Sequence, residues 1–255
     1  MKLFTALKDI IATIQAIPKA CRATIATMPS MSEAIEQERL KEEHTIELKK
    51  ILGTNPTLQN LYNLVEKDDK SRNMFDSISL GLSIQTQSRA LLDFATPINS
   101  WNFLQTGGDS VHYSFLCDNG ILDENNPVIM TVPCGKTLNV IVAENLLEFI
   151  SLAYVNGGFS LDSLAGGSID EYCDKLDNST LKEEIFEDES EFWKEVAKER
   201  KIALALIYEN FEIQPFKSPH KDRLLHLQEK YIDKLKYSDE YIGKEFPDLH
   251  PQRFS

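Results

Sequence analysis

Three runs decide the fold: Val111-His112-Tyr113-Ser114-Phe115-Leu116, Pro127-Val128-Ile129-Met130-Thr131-Val132-Pro133 and Thr137-Leu138-Asn139-Val140-Ile141-Val142. β-Branched and aromatic residues fill them, and such side chains suit a pleated, half-buried surface. Asp118-Asn119-Gly120 closes the first run with turn chemistry, since Asn and Asp bond nearby backbone and Gly accepts positive φ. The links between runs are too short for the crossover that parallel strands need, so the strands are predicted to pair as an antiparallel meander. The period then changes. From Ala143 to Tyr154 the apolar residues Leu146, Leu147, Phe149, Ile150 and Leu152 fall at helical spacing, and Gly157-Gly158 ends the helix.

Outside this centre, residues 101–154, the chain reads as helical. On the N-terminal side, Leu3, Phe4, Leu7, Ile10, Ile11 and Ile14 make one apolar stripe. Pro18 and Pro29 break the pattern, and Ser30-x-x-Glu33 has capping-box form for a charged helix that runs to Leu52, with Gly53 as its stop. Pairs such as Glu38–Lys41 and Glu47–Lys50 would lace its solvated face. Leu58, Leu61, Leu64 and Val65 predict a short helix after the Asn55-Pro56 turn, and residues 67–73 read as a loop. Apolar residues return over 74–94, where 90–94 reads as the end of a core-facing helix. On the C-terminal side a turn is expected at 161–164, helices at 169–176, about 189–211 and 223–235, and an edge strand at 213–216. The tail from 237 reads as irregular, anchored by Tyr241 and Phe246. The expected class is α+β: a small, mainly antiparallel sheet flanked by helices, with helical N-terminal and C-terminal extensions. The regions are 1–95, 96–165 and 166–255, packing as one unit.

Charge narrows the function classes. Against 27 basic residues stand 40 acidic ones, a net charge of -13. Such a surface repels phosphate backbones and anionic headgroups, so direct nucleic-acid or membrane-surface binding is not expected. The four cysteines (Cys21, Cys117, Cys134 and Cys173) are scattered without a C-x-x-C pair, which speaks against a disulfide framework or zinc site and for a reducing, cytoplasmic compartment. Asp9 and Gln15 interrupt the first apolar stripe, so it reads as a helix and not as a signal peptide. No run approaches the roughly 20 apolar residues that span a bilayer.

Motif searches exclude more than they find. Gly135-Lys136-Thr137 ends like a phosphate loop, but the pattern needs glycine at 130, where Met130 stands, and a helix afterwards, where a strand is predicted. There is no nucleophile elbow, no H-E-x-x-H and no dinucleotide fingerprint, and the five histidines are isolated. No catalytic set, metal set or cofactor is implied. Gly107-Gly108-Asp109-Ser110-Val111-His112 holds the one acid–base couple worth naming. Asp109 and His112 could serve a small hydrolase at the mouth of the sheet. The alternative is a glycine turn entering a strand, with His112 on the face of Ser114 and opposite Tyr113. Trp101 and Phe103, just ahead, read as core or rim aromatics.

At this segment the sequence resembles a known family. Trp101, then Thr106-Gly107-Gly108-Asp109-Ser110-Val111-His112-Tyr113-Ser114-Phe115-Leu116, Asn126-Pro127-Val128-Ile129-Met130-Thr131-Val132-Pro133 and Val142-Ala143-Glu144-Asn145-Leu146-Leu147-Glu148-Phe149-Ile150, are similar in order to the SMI1/KNR4, or SUKH, superfamily. The resemblance covers residues 95–165 and leaves the first 70 or so unaccounted for. It implies an α+β protein-binding scaffold, whose bacterial members serve as immunity proteins that neutralise toxins, nucleases among them. A basic toxin domain is then the expected partner, which an acidic surface would attract. Trp101, Asp109, His112 and Tyr113 are the residues expected to bind it. Two further readings stay open: the small hydrolase using Asp109 and His112, and a structural or regulatory protein docking through its charged helix at 33–50.

Overall fold

The computed structural model describes residues 31–86, 95–106, 110–133, 135, 137–161, 163–166, 169–177, 191–213 and 220–238. Helix α1, Met31–Leu52, runs across the division between two compact units, Met1–Ile46 and Glu47–Ser255. Residues 47–95 thus share a unit with the sheet, and no division falls at 95 or 165. In the first unit, Arg39 of α1 pairs with Glu36 and Glu43, and Leu40 is exposed.

Ile51 and Leu52 enter the core of the second unit, and Gly53 then turns the chain by bonding back to the Lys49 carbonyl. Helix α2, Pro56–Val65, starts with Pro at its first turn, and Asn55 caps it by accepting from the Leu58 N–H at 2.9 Å. Asp68 caps a further helix, α3, Asp69–Asp76, in the same way at 2.7 Å. The loop expected over 67–73 is thus helical for most of its length. The cap satisfies an orphan N–H and Phe75 is fully buried, which together outweigh the polar run Asp69-Lys70-Ser71-Arg72-Asn73.

Five strands follow: β1 Gly81–Leu82, β2 Ser100–Gln105, β3 His112–Leu116, β4 Val128–Thr131 and β5 Asn139–Ala143. They form one sheet in the order β1-β2-β3-β4-β5, antiparallel throughout, which is the expected meander with two strands added at its start. Residues 81–86, expected within a helical stretch, are extended, and residues 87–94 lie outside the described residues. Trp101 lies opposite Phe115, so alternation puts Phe103 on the sheet's apolar face, where a bulge between Asn102 and Leu104 shifts the register. There Phe103 stacks on Phe115, with ring centroids 4.3 Å apart.

Helix α4, Leu146–Asn156, covers that face. Asn145 caps it at the Glu148 N–H, and Gly157 ends it at φ 81, where a side chain would be strained. Its Phe149 meets Phe103, Tyr113 and Phe159, so one aromatic cluster joins sheet, helix and the following loop. Short α5, Ser163–Gly166, and α6, Ile169–Asp177, come next, then the long α7, Glu191–Asn210, which packs against α3 and α4 through buried Ala203 and Ile207. Helix α8, His220–Tyr231, lies along β5 and against α6, and a 3-10 turn, Ile232–Lys234, follows. The strand expected at 213–216 is not formed at Ile213, and residues 214–219 are outside the described set, as are Tyr241 and Phe246.

Candidate functional site

The two faces of the sheet differ in chemistry because β3 alternates aromatic with polar residues. Tyr113 and Phe115 point to α4. His112 and Ser114 point the other way, as alternation requires, and the register sets Thr131 opposite His112 and Asn139 opposite Thr131. On this second face every side chain just named is buried. Thr131 Oγ1 donates to Asn139 Oδ1 at 2.7 Å, and Asn139 Nδ2 donates to the Ala95 carbonyl at 3.0 Å and to Tyr237 Oη at 3.2 Å. These bonds tie the sheet to the segments that cover it, residues 95–99 and 235–238.

His112 belongs to that lattice. Its Nε2 lies 3.0 Å from Thr96 Oγ1 and its Nδ1 2.8 Å from the Ser110 carbonyl oxygen. The carbonyl can only accept, so Nδ1 carries a proton, and in the neutral ring Nε2 accepts from the threonine hydroxyl. Ser110 reaches this position at φ 57, a left-handed conformation rare outside glycine. A hydroxyl bonded to a neutral imidazole is also the pairing of an activated nucleophile. Here Thr96 is 2% and His112 0% exposed, so the pair faces the protein interior.

Tyr113 is equally internal. Its hydroxyl donates to the Phe159 carbonyl at 2.7 Å and accepts from the Leu161 N–H at 3.1 Å, fixing the chain that leaves α4. Trp101 is half-buried, and its Nε1 donates to the Gln85 carbonyl at 2.8 Å, clamping the extended segment after β1 to β2. Of the four residues expected to contact a partner, Asp109 lies outside the described residues. His112 and Tyr113 are adjacent on β3 but on opposite faces, and neither reaches the surface. Burial and internal hydrogen bonds occupy these two.

The charged groups that do cluster lie where β5 meets α4 and α8. Arg223 donates to both Glu148, at 2.7 Å, and Glu144, at 2.8 Å, while Lys230 and Tyr231 also bond Glu144. Lys230 and Arg223 hold the Glu144 carboxyl down at about 2. Beside this cluster, Gln228 uses its amide as a peptide group would: Oε1 accepts from the Ile141 N–H at 3.0 Å and Nε2 donates to the Ile141 carbonyl at 2.7 Å. On α6, the Cys173 thiol is pushed up to about 12 by burial and by Asp177. Cys117 and Cys173 are both buried, and Cys173 is a free thiol.

No group of three or more His, Cys, Asp or Glu side chains among the described residues is placed to hold a metal ion, and no described helix is long and apolar enough to cross a membrane. Met130 sits within β4, and a strand, β5, follows Thr137, so the G-K-T triplet does not open a helix. No family model, curated protein or solved structure matches the chain.

Sequence reasoning overlooked the exposed side of α7. The helix expected over about 189–211 forms at Glu191–Asn210, but its Phe192 is 68% exposed, and the Phe192 and Trp193 rings meet edge to face at 5.1 Å. Helical periodicity says which residues share a face. It cannot say where along the helix the covering body ends.

Proposed function

We propose that the chain is a non-enzymatic protein-binding scaffold of SUKH-like plan that neutralises a basic toxin domain in the cytoplasm. One observation carries the choice of scaffold over hydrolase. The side chains that chemistry at the sheet would need, His112, Thr96, Thr131 and Tyr113, are all committed to hydrogen bonds that fasten the sheet to its flanking segments. What such a protein offers a partner is its outer surface, which carries a net charge of -13. That charge favours a basic partner by steering its approach. The buried free thiol at Cys173 suits a reducing compartment.

The test pairs the full-length protein with toxin domains encoded beside its gene. The expected result is binding whose on-rate falls steeply with added salt, together with protection of cells expressing the toxin. Binding to none of them and protection against none would reject the neutralising role. Turnover of ester or phosphodiester substrates by the purified chain, abolished in Thr96→Val, would return the hydrolase reading to first place.

A further inference from the structure

The two edges of the sheet are finished differently. At β5 the outward backbone pair of Ile141 is occupied by Gln228, while β1 and the extended residues that continue it to Thr86 form the opposite edge. Backbone direction alternates along that edge. Gly81 pairs with Gln105, the Ser83 N–H donates to the Phe103 carbonyl at 2.9 Å, and Gln85 turns both its N–H and its carbonyl toward β2, to the Asn102 carbonyl and the Trp101 indole. Leu82 and Ile84 therefore present their N–H and C=O groups outward, and no described residue bonds them there. The segment is pinned at both ends. The Leu80 N–H bonds back to the Phe75 carbonyl at 3.1 Å, and the Gln85 side chain accepts from Asn102 at 3.0 Å. An edge already held extended pays little ordering cost when another strand pairs with it. Proteins ordinarily blunt such edges with charge or proline. Residues 77–88 contain neither, although 26% of the chain is charged. The missing charge matters for one partner in particular: a second copy carries the same net charge of -13 and is repelled by the surface as a whole, so a neutral edge is where two copies can meet.

We propose that two copies of the chain pair through these edges, antiparallel about a twofold axis at Ser83. The register is self-complementary: matching outward groups with outward groups sets Leu82 against Ile84 of the second copy, Ile84 against its Leu82, and Ser83 against its Ser83. Leu82 and Ile84 share one face of the strand, the face on which Leu82 lies opposite Leu104. Both side chains are half-buried and packed against the core of the single chain, and across the pair each covers the other's remaining surface. Because Gln228 closes β5, pairing stops at two copies.

Sedimentation of the full-length chain over a range of concentrations reads the pairing, and hydrogen exchange reads the edge. The parent should dimerise, and more tightly as salt rises, because salt screens the repulsion between like-charged copies. The Leu82 and Ile84 amides should exchange at least about tenfold more slowly in concentrated than in dilute solution. Ser83→Lys and Ser83→Glu each set like charges face to face and should weaken the dimer roughly fivefold or more, while an equimolar mixture of the two should pair at least as tightly as the parent. Ile84→Pro removes an outward N–H, keeps the inward bonds of Ser83 and Gln85, and should weaken the dimer about tenfold. A parent that stays monomeric at every concentration overturns the proposal, as does a dimer that neither serine variant weakens, or a mixture no tighter than its components. Slow exchange of both amides in the dilute parent would show that the chain itself covers the edge and overturns it too, a readout that needs no variant to fold. None of these outcomes decides toxin binding, whose salt dependence runs the other way.

Discussion

Ser114 and Tyr113 are neighbours on β3 with hydroxyls in opposite situations. The tyrosine hydroxyl is bonded twice, to the Phe159 carbonyl and the Leu161 N–H, whereas Ser114 Oγ is fully buried and has no partner. Removing the first leaves two backbone groups unsatisfied, and removing the second removes an uncompensated one. Tyr113→Phe is therefore expected to destabilise the protein by about 2 kcal/mol, and Ser114→Ala to leave it unchanged or raise stability by up to about 1 kcal/mol. Urea denaturation of the two variants checks both signs. At Cys173 the thiol is held up at about 12, so almost none is thiolate at neutral pH and the side chain is also buried. Alkylation followed by peptide mass mapping should find Cys173 unmodified in the native protein and modified once it is unfolded.

At the scale of elements, the helix caps give a graded series. Asn55 is fully buried and does two things: it caps α2 and donates to the Asp123 carbonyl at 3.1 Å, across to the turn before β4. The Asp68 cap is local and exposed. Asn55→Ala should cost about 2 kcal/mol and Asp68→Ala about 1 kcal/mol or less, measured by thermal or urea unfolding. These caps also show what was readable in the sequence. The Asn55-Pro56 signal was recognised, and α2 forms where its apolar spacing placed it. The equivalent signal at Asp68 was hidden, because the helix it starts has only Met74 and Phe75 to bury and its polarity resembles a loop. Strands β3, β4 and β5 were legible from their β-branched composition. β2 was not read as a strand, since Asn102 and Gln105 dilute its pattern and its bulge breaks the alternation at Phe103. The polar face of the sheet was legible only as a face. That His112, Thr131 and Asn139 would be buried there depends on segments 95–99 and 235–238, and the second of these lies about a hundred residues away in sequence. Contacts at that separation leave no local trace.

For the second unit as a whole, the Glu144 cluster joins the end of β5 to α4 and α8, and its pH dependence follows from one direction of shift. Glu144 is depressed in the folded state, from 4.5 to about 2. Its contribution is therefore complete above the unfolded value of about 4.5 and is lost as pH falls through about 2. Glu144→Gln should lower stability by about 1 kcal/mol at neutral pH, a figure kept small because the carboxylate is a third exposed. The gap between variant and parent should close on acidification, and a gap that stays constant into acid would reject the pairing as its cause.

The outer edge of the sheet has a different consequence. β5 is a terminal strand, and an uncovered terminal strand is a template on which another chain can add itself and continue to grow. Gln228 stands in the place of that newcomer, presenting one amide to Ile141 as a neighbouring backbone would. Gln228→Leu keeps the bulk but removes the mimicry. The expected outcome is a chain that unfolds at a lower temperature, because two buried backbone groups lose their partner, and that forms concentration-dependent oligomers in light scattering, because the vacated pair accepts a second copy. A glutamine side chain then acts as the terminus of a polymer that never starts.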